Sequence, residues 1–183
     1  MIYLDYNAST PLDDSAREAM LPYLGPVYGN PSSSHGMGRP LREAVEKARS
    51  QVASILGASP EEIVFTSGGT EGCNHVIKGV AHTLRERGKH IITSAVEHPA
   101  VLNPCRFLEG LGYEVTYIGV DSDGRVDPES VAHEVRPDTI LISIMHANNE
   151  VGTIQPIAEI AEIAREGGVL MFTDAAQSCG KIE

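Results

Sequence analysis

Ile140-Leu-Ile-Ser-Ile144 decides the fold. Four of its five residues are branched and apolar, and only Ser143 interrupts them. An extended segment of this composition is oily on both faces, so it belongs in a sheet covered on both sides. Working outward, short runs of the same kind recur at Ile63-Val-Phe-Thr66, at 90–94, at 114–118 and at 168–173. Between them the apolar spacing becomes helical. Leu41, Ala44, Val45, Ala48, Val52, Ile55 and Leu56 repeat at steps of three and four, which predicts an amphipathic helix over 41–56 stopped by Gly57. Further helices are expected over 13–23, from about Glu71 to Arg87 with Gly88 as the stop, over 101–111, over 128–135 behind Asp127 as N-cap, and over 157–166. Residues 25–40 are rich in Gly, Pro, Ser and Asn and read as an irregular loop. Strands alternating with helices indicate βαβ units. The expected class is α/β, a three-layer α/β/α arrangement around a mostly parallel sheet.

Composition narrows the function. The chain has 183 residues, 42% of them apolar, enough for a real core. A net charge of −11 argues against a nucleic-acid surface and against docking on anionic membranes. No apolar run approaches a membrane span, and Met1-Ile-Tyr-Leu-Asp-Tyr-Asn7 lacks the basic start of a signal peptide. The expected location is the cytoplasm. Cys73, Cys105 and Cys179 are odd in number and form no CxxC pair, so neither a disulfide framework nor a zinc ribbon is indicated. His75 and His82 could share a helix face, but no further ligand completes a set. No metal is expected.

In open α/β sheets ligands bind beyond the carboxyl ends of the strands, so the residues after each strand carry the most information. After 63–66 comes Ser67-Gly-Gly-Thr-Glu71 at a helix start. Glycines expose backbone N–H groups there, and the helix dipole favours an anion such as phosphate. An ordinary helix start capped by Ser67 or Thr70 is the plainer reading. After 90–94 comes Glu97-His98, where the histidine could stack on a ring or move a proton, or be only a polar loop residue. After 140–144 comes His146-Ala-Asn-Asn-Glu150, whose amides could orient a ligand oxygen or simply make a turn. After the last strand comes Thr173-Asp-Ala-Ala-Gln177. A carboxylate there needs a cation or donors, and a protonated pyridine nitrogen is such a cation; Asp174 as a helix N-cap is the alternative. A phosphate cradle, a stacking histidine, an amide and a ring-nitrogen carboxylate at successive strand ends suit pyridoxal 5'-phosphate. A serine hydrolase built on Ser67, His98 and Asp174 would want a glycine where Phe65 stands.

With these motifs, together with Tyr3-Leu-Asp-Tyr-Asn-Ala-Ser-Thr-Pro11 and Gly29-Asn-Pro-Ser-Ser33, the sequence resembles the class V, fold-type I pyridoxal-phosphate enzymes, specifically cysteine desulfurases and selenocysteine lyases. The resemblance runs along essentially all of the chain and covers about the first half of a typical member. It implies an N-terminal segment over 1–15 near the active site and, over 16–183, part of the large cofactor-binding domain, without the small C-terminal domain. It implies that Gly69 and Thr70 bind the cofactor phosphate, and that His98 stacks on the ring and serves as the catalytic proton carrier. Asn149 would face the ring hydroxyl and the substrate carboxylate, Asp174 the pyridinium nitrogen and Gln177 the ring hydroxyl, while Asn7 and Ala8 would lie near the substrate carboxylate. The implied substrate is L-cysteine or selenocysteine. The implied partners are a second copy in a homodimer, a sulfur-acceptor or iron–sulfur scaffold protein, and a further stretch or second chain carrying the Schiff-base lysine and the persulfide cysteine. Lys181, Cys105 and Cys179 match neither of those residues, so the chain alone is expected to be inactive. A non-catalytic scaffold is the alternative from another class. Gly72-Cys73 replaces the family's more usual Ser-Asn, with Cys73 expected to be a small buried residue.

Overall fold

In the computed structural model, which describes residues 2–182, the chain divides into two units, Met1–Phe65 and Thr66–Glu183. The first holds α1, Asp14–Met20, whose N-terminus is capped by the Asp13 carboxylate accepting from Ser15 N at 2.8 Å. The helical pattern expected over 13–23 tightens into a 3-10 turn over Leu21–Leu24, because Pro22 has no N–H to continue the α ladder. Helix α2, Arg39–Leu56, starts two residues before the apolar periodicity does, since Pro40 in the first turn fits a helix start. It ends at Gly57, which is left-handed at φ 63°. Arg42 on α2 donates to the carbonyls of Pro31 and Ser33 at 3.0 and 2.9 Å, which fastens the irregular 25–40 loop.

Ile63 is extended, but 63–66 joins no sheet among the described residues. Val64 and Phe65 are exposed, the Ile63 carbonyl accepts from Arg49 at 2.5 Å, and the same guanidinium lies over the Phe65 ring. The strand expected there is corrected to an unpaired extended segment. Local propensity sets φ and ψ, whereas a strand also needs a neighbour.

The second unit supplies the expected layers. Helix α3, Gly69–Thr83, precedes β1, His90–Ser94; α4, Pro99–Glu109, leads to β2, Glu114–Ile118. Then come α5, Pro128–Glu134, β3, Thr139–Ser143, α6, Ile157–Glu166, and β4, Leu170–Phe172. The four strands are all parallel, in the order β2-β1-β3-β4. Ile91 and Leu141 face one way, into a core with Cys73, Ile77 and Ala81 of α3 and Val101, Cys105 and Leu108 of α4. Ile92 and Ile142 face the other way, toward Val131 of α5 and Ile160 and Ala164 of α6. Alternate residues thus bury opposite faces, as a strand period of two requires. β1 and β3 are buried at every position, which is the two-sided burial that the Ile140–Ile144 run predicts. Helix α3 ends at Thr83, four residues before the expected last residue Arg87, because Arg87 N and Gly88 N both turn back to the Leu84 carbonyl.

Candidate active site

Hydrogen bonds stitch the carboxyl ends of β1, β3 and β4 together. Asn148 donates to the Val96 carbonyl at 3.0 Å, Met145 N donates to the Glu97 carboxyl at 2.8 Å, and His146 N donates to the Asp174 carbonyl at 2.9 Å. From the other side, the Cys73 thiol of α3 lies 3.8 Å from Asp174 Oδ2. That contact sets the first turns of α3 beside the end of β4.

At the start of α3 no side chain caps the helix; its N-cap is Gly68. Neither Ser67 nor Thr70 fills the capping role that the plainer reading of the sequence gave them. Glu71 instead reaches back to accept from Ser67 N at 2.6 Å, and these bonds from Ser67 hold its carboxyl below the usual range. A Cβ built on Gly68 or Gly69 would meet nothing within 4 Å. The backbone of Gly69 and Thr70 is therefore open to a ligand, at the positive end of a fifteen-residue helix.

Asp174 is half-buried. Its Oδ1 accepts from Ala176 N at 3.0 Å, and no helix follows it among the described residues, so it is no helix cap. None of the ion pairs among those residues includes it. A carboxylate so placed still wants a cation. Burial, then the Asp174 charge, push the Cys73 thiol up to about 12, so Cys73 is a donor to Asp174 and no thiolate. Burial likewise pushes Cys105 up to about 12. Neither buried thiol has the lowered pKa of a nucleophile, in keeping with the reading of Cys73 as a small buried residue.

His98 is exposed and caps α4, its Nδ1 accepting from Ala100 N at 3.1 Å. In the neutral ring this bond places the proton on Nε2. His98 and Asn149 share a cleft of 630 Å³ walled by 95–99, 121–124, 148–151 and Thr153. Gly69, Thr70, Asp174 and Gln177 do not line that cleft. Of the two adjacent amides, Asn148 is the turn former: its Oδ1 accepts from Glu150 N and Val151 N at 2.8 and 3.0 Å. Asn149 and Gln177 are half-buried. Asn7 and Ala8 lie in a turn of the first unit, where Ala8 N donates to the Asp5 carbonyl at 3.2 Å. No hydrogen bond joins Ser67, His98 and Asp174, so the hydrolase arrangement is not formed. No group of His, Cys, Asp and Glu among the described residues is placed to hold a metal ion. No helix among them is long and apolar enough to cross a membrane.

Glu97 is the residue to which sequence reasoning assigned no role. It is 5% exposed, with Oε1 accepting from Ser94 Oγ at 2.6 Å and Met145 N at 2.8 Å. Burial pushes it up to about 7 against the lowering effect of those two bonds, and the Asp174 charge adds to the rise. Its position before His98 was visible, but a glutamate after a strand reads as a solvent-facing acid until its neighbours are known.

Comparison with known proteins matches the aminotransferase class-V family over residues 2–183. The chain is 57% identical over 181 residues to a cysteine desulfurase IscS of Dictyoglomus turgidum, covering 99% of this chain and 46% of that protein. It is 52% identical over 181 residues to a cysteine desulfurase IscS of Methanosarcina thermophila, covering 99% and 45%. Among solved structures, a NifS-like protein superposes with a TM-score of 0.95 at 46% identity, over 99% of this chain and 50% of that one. A structure of SspA in complex with cysteine superposes at 0.93 and 44% identity, over 96% and 51%. The chain thus spans about half the length of the relatives it matches.

Proposed function

The chain belongs to the aminotransferase class-V family, and from that premise we propose that it is the cofactor-binding part of a pyridoxal-phosphate-dependent cysteine desulfurase. The observation that carries this reading is Asp174, a half-buried carboxylate at a strand end that enters no ion pair among the described residues. It stands next to the second turn of a helix whose uncapped start is open to an anion. A phosphate at one end and a protonated ring nitrogen at the other answer both needs.

In this reading the Gly69 and Thr70 backbone holds the phosphate, and Asp174 keeps the ring nitrogen protonated. So held, the cofactor supplies an electron sink for the substrate carbanion. His98 keeps Nδ1 on the α4 backbone, which leaves Nε2 to hold or move a proton against the ring. Asn149 and Gln177 bind the ring hydroxyl, and Asn149, Asn7 and Ala8 orient the substrate carboxylate. These assignments rest on the family resemblance, and those of Asn7 and Ala8, in the first unit, on it alone. For the complete protein, the proposed reaction moves sulfur from L-cysteine to an enzyme cysteine and releases L-alanine, feeding iron–sulfur cluster or thio-cofactor assembly. It is proposed to act as a cytoplasmic homodimer that hands sulfur to an acceptor or scaffold protein. The cysteine-bound relative supports the substrate class.

Titrating the chain with pyridoxal phosphate, followed by absorbance and then by borohydride and intact mass, tests the reading. Saturable binding that borohydride leaves unfixed is expected. Absence of saturable binding overturns it, and a single trapped lysine overturns the assignment of the covalent residue to another part of the protein.

A further inference from the structure

Glu97 is the only carboxylate buried beyond nine-tenths among the described residues. Its Oε1 is fully used by Ser94 Oγ and Met145 N, while Oε2 is buried and meets no donor or acceptor. The next residue along the chain from Met145 is His146, whose N–H holds the Asp174 carbonyl. Glu97 therefore braces the end of β1 to the end of β3, one bond away from the end of β4. The groups that act on it are Ser94 on β1, the Met145 N–H after β3 and the Asp174 charge after β4. Glu97 in turn acts on two thiols, Cys73 on α3 and Cys105 on α4. No cation is among them. A carboxyl buried this deeply, with one oxygen unpartnered and the Asp174 carboxylate near it, keeps a proton.

We propose that Glu97 is a positioning residue of the cofactor site: it carries a proton on Oε2 while the site is empty and loses that proton to solvent when a cationic ring nitrogen pairs with Asp174. The inference rests on the pyridoxal-phosphate reading above. The charge balances, since one positive ring enters and one proton leaves. The ionised Glu97 then accepts more strongly from Ser94 and from Met145 N, which tightens the segment that presents His98. Asp174 and His98, whose side chains hydrogen-bond to different partners, become linked through it.

The wild-type chain and Glu97→Gln are compared with pyridoxal phosphate as the probe. Glutamine keeps an oxygen to accept from Ser94 and Met145 and removes only the titration. Infrared difference spectra near pH 6 should show a protonated-carboxyl band in the empty wild type that Glu97→Gln lacks and that fades as the probe saturates. Calorimetric titration in buffers of different ionisation enthalpy should count up to about one more proton released by the wild type than by the variant near pH 6, with the difference vanishing near pH 9. Titration of the cofactor's own groups is common to both proteins and cancels. Equal proton counts in two proteins that both bind overturn the proposal, as does an empty wild type without the band. If Glu97→Gln does not fold, the wild-type band alone decides, by fading or persisting on saturation. Failure of the wild type to bind overturns the cofactor reading itself, and this role with it.

Discussion

Glu97→Gln should flatten the pH dependence of stability in a way that can be worked out beforehand. The carboxyl rises from an ordinary 4.5 to about 7 in the folded chain, chiefly through burial. Below 4.5 both folded and unfolded chains are protonated at this position, and its contribution to stability is fully present. As pH rises from 4.5 the unfolded chain ionises first, so stability is lost progressively until the folded group has also ionised, above about 7. At about 1.36 kcal/mol per pH unit, the loss reaches roughly 3 kcal/mol by pH 8. About 2.5 kcal/mol of it falls between pH 5 and pH 8. Glutamine cannot ionise, so the variant lacks this loss and should gain on the wild type over that interval. Urea unfolding of the empty chain at pH 5, 6, 7 and 8, followed by circular dichroism, measures the difference at each pH with a shared slope. All other titrations are common to the two proteins. A stability difference constant to within about 0.5 kcal/mol from pH 5 to 8 would show that Glu97 is not a carboxyl raised by burial, and the reasoning would fail.

Asp174→Ala should weaken pyridoxal phosphate binding by at least about tenfold, the scale of a lost charged hydrogen bond; unchanged affinity by absorbance titration would remove Asp174 from the site. His90 is fully buried, with Nδ1 2.8 Å from Thr139 Oγ1 and Nε2 2.9 Å from Thr116 Oγ1. Burial, then the Arg136 charge, lower its pKa, so its contribution is present above the ordinary 6.5 and is lost as pH falls through the depressed value. His90→Leu should cost about 2–4 kcal/mol at neutral pH and lose part of the acid sensitivity, both read from urea midpoints. At Gly88 a Cβ would sit 2.1 Å from the Asp138 carbonyl oxygen, so Gly88→Ala should destabilise by at least about 1–3 kcal/mol in the same assay.

Much of the fold is legible locally. The apolar run at Ile140–Ile144 implies burial on both faces, and β3 over Thr139–Ser143 is buried at every position. Asp127 and Gly57 punctuate their helices as their chemistry dictates. The strand-end positions of His98 after β1 and Asp174 after β4 can be found because the residues that follow a strand in sequence also follow it in space. Pairing cannot be found this way. Ile63–Thr66 has strand composition, yet whether it joins a sheet depends on a neighbour that its own residues do not specify. The state of Glu97 is settled by Met145 N, forty-eight positions away, and that of Cys73 by Asp174, one hundred and one positions away. Propensity, capping and periodicity act over a turn or two of chain, so the sequence by itself determines them. Burial, charge coupling and strand partnership act through space, and only the folded chain decides them.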